Sequence, residues 1–142
     1  MTERADGVMP VAGTDLRSTT RRFPSRLDQL ALIRQFVEEV AAATALGSSA
    51  TYDLKVAVSE ASANAIEHGL GEGELEVSAR RRRGRLTVTV CHPGAFRPRI
   101  GGDPTRAHRG MGIPLMLALT NELIVTRPRD GGTRVSLSVF LD

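Results

Sequence analysis

The chain has 142 residues, of which 41% are hydrophobic and 25% charged, and its formal net charge is +3. This length predicts one domain with an ordinary buried core, and the composition is that of a soluble globular protein. There is no apolar run near the roughly 18 residues that cross a bilayer, and residues 1–15 lack the apolar segment of a signal peptide. The lone cysteine, Cys91, excludes an internal disulfide and favours a cytoplasmic location.

The N-terminal part of the sequence predicts a flexible tail followed by a strand. Residues 1–15 are small and polar and have no periodicity, which is typical of a flexible tail. Residues 16–23 form a strand candidate that ends at Pro24. We expect residues 16–142 to form a single domain.

Two helices are expected next. Ser25 and Asp28 have the spacing of a capping box, in which the two side chains satisfy backbone amides at a helix start. Apolar residues then recur every three or four positions, which predicts an amphipathic helix that ends at Gly47. Residues 51–68 carry a similar apolar stripe and predict a second helix, which ends at Gly69.

The middle of the chain predicts an antiparallel hairpin. Apolar and polar residues alternate in residues 75–80 and again in residues 86–90, which is the pattern of strands with one buried face. The arginine-rich residues 80–85 join these strands, and we expect them to form a solvated tip. Residues 95–109 have no periodicity, and a loop of this length indicates a function such as a lid over a ligand.

The C-terminal part predicts a third helix and two further strands. Residues 110–112 open the helix, and Pro114 is compatible with its first turn. Residues 123–126 and the alternating residues 135–141 predict strands. The expected fold is therefore an α+β two-layer sandwich, in which a mixed, mostly antiparallel sheet has helices on one face.

The second predicted helix carries an unusual polar stripe. Glu60 and Asn64 are four residues apart, about one helical turn, so they project from the same face, with His68 one turn further on. A solvated helix face would explain this pattern. An acid, an amide and an imidazole among alanines would also suit a site that handles a proton and a metal ion.

Glycine clusters follow at the end of the hairpin, at the start of the third helix and before the last strand. The first contains Gly94, and the last comprises residues 131–132. Glycine lets backbone amides approach a ligand closely, and a helix N-terminus with free N–H groups is a natural phosphate site. Arg109 adds a cation directly before Gly110 and Gly112.

The order of these motifs resembles the GHKL ATPase superfamily, whose members share the Bergerat, or histidine-kinase-like, ATP-binding fold. Residues 57–69 (Ala-Val-Ser-Glu-Ala-Ser-Ala-Asn-Ala-Ile-Glu-His-Gly) are similar to its N-box. Residues 109–116 (Arg-Gly-Met-Gly-Ile-Pro-Leu-Met) are similar to its second glycine box, and residues 121–125 and 131–133 also fit. Within the superfamily, the amino-acid sequences of these motifs and the compact size of the chain resemble those of the bacterial anti-sigma-factor serine/threonine kinases.

This resemblance implies a site for ATP and Mg²⁺. Glu60 would be the general base that takes the proton from a serine hydroxyl of a protein substrate, and Asn64 would ligate the Mg²⁺ that bridges the ATP phosphates. Thr133 would lie near the adenine. The other cofactor-binding positions that the resemblance implies are His92, Gly94, Arg109, Gly110, Met111 and Gly112.

One position departs from the family pattern. The first glycine box has an adenine-binding aspartate where this sequence has His92, two residues before Gly94. A neutral imidazole nitrogen can accept one hydrogen bond, but it cannot copy a charged acceptor that also holds an ordered water. Loss of such a charge-assisted bond costs about 1.5–3 kcal/mol, so the resemblance predicts weakened nucleotide binding.

Three functions compete on these grounds. The first, which we expect, is an anti-sigma factor and ATP-dependent serine/threonine kinase whose partners are a sigma factor and a STAS-type anti-sigma-factor antagonist, in a family whose members often form homodimers. The second is a non-catalytic partner-switching module of the same fold, which His92 favours and which the retained Glu60 and Asn64 oppose. The third is a nucleic-acid-binding domain built on residues 80–85, against which the scarcity of aromatic residues weighs. We expect neither membrane contact nor direct nucleic-acid contact.

Overall fold

The structure, a computed structural model, describes residues 17–68, 73–92, 109–127 and 132–141. The expected tail, Gly94 and nearly all of the predicted lid loop lie outside these residues. Within the described ranges, no helix is long and apolar enough to span a membrane. The elements are β1 (Arg17–Pro24), α1 (Leu30–Ala43), α2 (Ser48–His68), β2 (Glu74–Arg82), β3 (Arg85–His92), α3 (Arg109–Leu119), β4 (Glu122–Thr126) and β5 (Thr133–Phe140).

The described strands form one sheet in the order β1-β2-β3-β5-β4. Neighbouring strands are antiparallel at all four pairings, and Val90 in the middle of the sheet lies opposite Val77 on one side and Val135 on the other. The connection through α3 skips one position, so β5 runs between two strands of like direction, β3 and β4. The α+β fold expected from the sequence is confirmed, and its sheet is antiparallel at every pairing that the described strands make.

The helices cover one face of this sheet. Helix α2 lies on β3 and β5, while α1 and α3 pack against α2. Because side chains alternate along a strand, the other face receives the intervening residues, which are mainly serine, threonine and arginine. The largest side chains buried in the helix-facing core are Phe36, Ile33, Leu54, Leu75, Leu86, Met116 and Leu137.

The start of α1 differs from the prediction. A short 3-10 helix, Leu27–Gln29, precedes it, and neither helix start receives a side-chain cap. The carboxylate of Asp28 instead accepts hydrogen bonds from Arg26 Nε at 3.1 Å and Gln29 Nε2 at 3.3 Å. The capping box expected for Ser25 and Asp28 was therefore wrong, because the pairing with Arg26 and Gln29 holds the carboxylate away from the backbone amides.

Helix α3 begins at Arg109, which places Pro114 in its second turn rather than its first. Proline has no N–H, so Pro114 donates no hydrogen bond to the carbonyl of Gly110. The helix packs against α2 and β4. Among the described side chains of α3, Met116 is the one large hydrophobic that is buried, so contact with α2 is the main support of this helix.

Candidate functional site

Helix α2 carries the polar stripe predicted from the sequence. Its buried side consists mostly of small and branched apolar residues, which face the sheet and the neighbouring helices. Ala57 and Ala61 are buried, whereas Glu60 and Asn64 are half-buried. The acid and the amide therefore stand at the rim of the core, where a molecule from solution can reach them.

Gly112 of α3 lies directly against this stripe. A methyl carbon placed on Gly112 would lie 2.9 Å from Nδ2 of Asn64 and 3.3 Å from Oε1 of Glu60. The first distance is shorter than carbon and nitrogen atoms tolerate, so a side chain at Gly112 would have to displace the carboxamide. Three of the positions selected from the sequence, Glu60, Asn64 and Gly112, thus meet in space although a long stretch of chain separates the helices.

The residues just before Gly112 form the first turn of α3. Arg109, Gly110 and Met111 have helical backbone, so the unbonded N–H groups and the positive end of the helix dipole lie at this turn. A helix start of this kind is suited to bind phosphate. It borders the same region as the carboxamide of Asn64.

His92 and Thr133 lie opposite each other, at the end of β3 and the start of β5. They continue the helix-facing rows that contain Val90 and Val135, so both side chains face the layer occupied by α2. His92 is only 3% exposed. The two residues assigned to the adenine end therefore form one cross-strand pair on the same side of the sheet as Glu60 and Asn64.

The hydroxyl of Thr133 provides an independent sign of a polar ligand. Its Oγ1 is buried and has no hydrogen-bond partner within the described part of the chain. A buried polar atom without a partner costs about 1–3 kcal/mol, so a bound group that supplies a hydrogen bond here would be favoured. The hydroxyl thus fits the edge of a nucleotide base.

The donor set also fits a magnesium ion that arrives with its nucleotide. Among the described residues, no group of three or more His, Cys, Asp or Glu side chains could hold a metal ion. Mg²⁺ usually keeps several waters and binds through one or two protein ligands together with substrate phosphates. The carboxamide of Asn64, beside a helix start suited to bind phosphate, would meet that requirement through its oxygen without a protein cage.

Two features near the site were missed in the sequence. Gly73 has a φ of 77°, and a methyl carbon on it would lie 3.8 Å from both Cε1 and Nε2 of His92. Arg34 Nη1 donates a hydrogen bond to Ser59 Oγ at 3.3 Å, which ties α1 to the turn of α2 that carries Glu60. The alternating glycines after α2 were a signal for the first feature; the second is a tertiary contact that no local pattern indicates.

Comparison with known proteins defines the class. The histidine kinase-like ATPase domain family matches residues 23–139, which is most of the chain. The chain therefore belongs to that family. This membership confirms the resemblance to the GHKL superfamily, and similarity to one anti-sigma factor agrees with the narrower resemblance to the anti-sigma-factor kinases.

One known protein and one solved structure are similar to this chain. The chain is similar to the Anti-sigma F factor of Lysinibacillus sphaericus, with 32% identity over 97 residues that cover 61% of this chain and 66% of that protein. It also superposes on the crystal structure of the RsbU and RsbW domains of Rv1364c from Mycobacterium tuberculosis, with a TM-score of 0.65 and 21% identity over 88% of this chain and 32% of that one. The chain spans less than two thirds of either protein, and the second likeness concerns the fold alone.

Proposed function

We propose that the chain is a cytoplasmic anti-sigma factor and an ATP-dependent serine/threonine kinase that phosphorylates an anti-sigma-factor antagonist. The observation that carries this proposal is the meeting of Glu60 and Asn64 with Gly112 at the start of α3. A candidate base, an amide ligand and a phosphate-binding helix start share one place there. Family membership supports the ATP-dependent activity, and the similarity to the Anti-sigma F factor supports the regulatory role.

The proposed mechanism assigns one task to each group. Bound Mg–ATP supplies the phosphoryl group and the positive charge that neutralises it. Asn64 would hold the ion through its amide oxygen, and the first turn of α3 would orient the phosphates through backbone N–H groups. Glu60 takes the proton from the serine or threonine hydroxyl of the antagonist. Because Glu60 lies one helical turn from Asn64, a hydroxyl that Glu60 deprotonates would lie near an ion held by Asn64, and such positioning is most of what phosphoryl transfer requires.

Exposed apolar side chains on the helices support protein partners for this function. Leu27 and Leu32, in and near α1, are 52% and 49% exposed, and Ile113 and Leu117 on one face of α3 are 49% and 56% exposed. Large hydrophobic residues grouped on a surface often mark protein-binding sites. We propose that the partners are a sigma factor and a STAS-type antagonist and that the chain forms a homodimer.

The direct test is a titration with ATP and Mg²⁺, followed by thermal unfolding. A ligand that binds only the folded chain stabilises it by mass action, so Tm should rise by about 5 °C when ATP is present at ten times its Kd. The rise should disappear with EDTA and in Asn64→Ala, which loses the proposed ion ligand. An unchanged Tm at millimolar Mg–ATP would refute the kinase proposal.

If His92 lies beside the adenine, as proposed, replacing it with aspartate should raise the affinity for ATP. We expect His92→Asp to bind ATP about ten to a hundred times more tightly than the wild-type chain, because a carboxylate is a stronger acceptor for the adenine amino group by about 1.5–3 kcal/mol. Isothermal titration calorimetry measures the change. His92→Asn is the matched control, with the same shape and no charge, and it should show no such gain. Equal affinities for both variants would place His92 away from the base.

A second function is favoured by His92 alone. A non-catalytic partner-switching module of the same fold would retain the protein-binding surfaces and have weak or lost ATP binding. In that case the buried side chain of His92 would fill part of the proposed base site rather than contact the nucleotide. The same titration separates the two functions, since the module binds its partner without any response to Mg–ATP.

A further inference from the structure

The sheet face that the helices leave uncovered carries a shallow polar depression of about 870 Å³. Its lining comes from β1, β2, β3 and β5 and consists mostly of hydroxyl side chains and arginines. The arginines are Arg80, Arg82, Arg83 and Arg85, which cluster at the β2–β3 turn. This face is on the opposite side of the sheet from Glu60 and Asn64, so it is separate from the candidate nucleotide site.

The positive charge of this cluster is largely unbalanced. Arg85 forms an ion pair with Glu122 of β4. Arg80, Arg82 and Arg83 are exposed, and none of the three pairs with a carboxylate of the described residues. Three cations on adjoining positions repel one another, so the cluster is a place where a negatively charged molecule gains binding energy.

The strand surface beside the arginines carries short hydroxyl side chains, and several of them are held by hydrogen bonds to one another. Thr87 and Ser138 share a hydrogen bond of 2.7 Å across β3 and β5, and Thr89 and Ser136 share one of 3.0 Å. Because these hydroxyl side chains are short, a bound molecule can approach the backbone of the strands closely, and the hydroxyl groups can still donate and accept hydrogen bonds. A polypeptide segment can therefore lie along the strands and still make polar contacts.

The turn between β2 and β3 contains a positively charged residue, Arg83, in a backbone conformation that is unfavourable for it. Arg82 and Arg85 pair across a two-residue turn in which Arg83 has a φ of 43° and Gly84 a φ of 76°. Both values are those of a type I′ hairpin turn, where asparagine is the residue preferred at the first central position. An arginine with a positive φ is strained, and here it projects a third cation toward the depression.

We infer that this sheet face binds an acidic segment of a protein partner. Carboxylates of that segment pair with Arg80, Arg82 and Arg83, and the strand hydroxyls bind its polar groups. Charge complementarity selects this occupant. A second copy of the chain would bring two arginine clusters together, which is unfavourable, and none of the described residues that line the depression is an aromatic on which a nucleic-acid base could stack.

The test uses a short fluorescein-labelled peptide of alternating glutamate and serine, titrated with the full chain at low salt. Arg83→Asn should weaken binding about threefold, and the triple variant Arg80→Thr, Arg82→Thr, Arg83→Asn about tenfold or more. Threonine suits a strand and asparagine suits the turn, so thermal unfolding should show variants at least as stable as the wild type. Arg26→Asn removes the same charge from an exposed position before α1 and should leave binding unchanged.

Three results would overturn the inference. An equal loss in Arg26→Asn and Arg83→Asn would mean that only net charge matters. Tighter binding of a single-stranded oligonucleotide than of the peptide, with the same dependence on the triple variant, would assign the face to nucleic acid. A dimer that the triple variant disrupts would assign it to a second copy of the chain. None of these measurements uses ATP, so the outcome is independent of the proposed kinase activity.

Discussion

Glu60→Gln should slow phosphoryl transfer by orders of magnitude and leave nucleotide binding nearly intact. The glutamine side chain has the same size as glutamate and occupies the same place beside Asn64, but it cannot take up the proton of the attacking hydroxyl. General-base catalysis typically contributes about 10²- to 10⁴-fold to the rate, so transfer should fall by that factor. The rate is measured as label transferred from γ-labelled ATP to a candidate antagonist.

The control for this variant is the same chemical change on helix α1. Glu38→Gln breaks an ion pair with Lys55 on the outside of α1 and α2, so it should transfer phosphate at the wild-type rate. Affinity for Mg–ATP in Glu60→Gln should stay within about threefold of the wild type, because the proposed base contacts the attacking hydroxyl and the substitution removes no contact that binds the nucleotide. Label transfer that survives in Glu60→Gln would exclude Glu60 as the base, even if ATP binds.

Gly112→Ala should disable the site without unfolding the protein. The added methyl carbon would lie 2.9 Å from Nδ2 of Asn64, and the carboxamide must move to make room. The atoms it meets, in Asn64 and Glu60, are the ends of side chains, so they can yield, and alanine favours a helix by about 0.5–1 kcal/mol relative to glycine. The groups that yield are the proposed ligand and base, and a misplacement of about 1 Å can reduce a rate about 10²-fold.

Thermal unfolding with and without Mg–ATP measures this effect. The nucleotide-free Tm of Gly112→Ala should stay near the wild-type value, while the rise caused by Mg–ATP should largely vanish. Gly47→Ala is the matched control, since nothing lies within 4 Å of a methyl carbon at Gly47, and its response to Mg–ATP should be that of the wild type. A full response in Gly112→Ala would show that Gly112 does not border the nucleotide.

Local patterns in the sequence predicted most of the fold. The strands around the β2–β3 turn and the helix α2 follow directly from alternation and from the three-and-four spacing of apolar residues. The start of α1 was predicted less well. There a short-range competition decides the outcome: the carboxylate of Asp28 pairs with Arg26 and Gln29 instead of capping the helix.

The part of the candidate site that lies on a single helix could be predicted from the sequence. The spacing of Glu60 and Asn64 places them on one helix face because a turn has about four residues. The cross-strand pair His92–Thr133 depends on the register of β3 and β5, which residues far apart in the chain decide together. The contact of Gly112 with α2 likewise depends on how two helices pack, so the sequence indicated it only through family resemblance.

The light anchoring of α3 has a consequence for the energetics of any ligand bound between α2 and α3. Among its described side chains, the helix buries one large hydrophobic residue, Met116, and Pro114 removes a backbone hydrogen bond from its second turn. An element held by few apolar contacts can detach locally at a lower free energy than the whole fold. The apparent affinity of the site then falls by the fraction of molecules in which α3 is detached. Stabilising that one helix on the α2 surface would therefore tighten ligand binding without any change to a residue that touches the ligand.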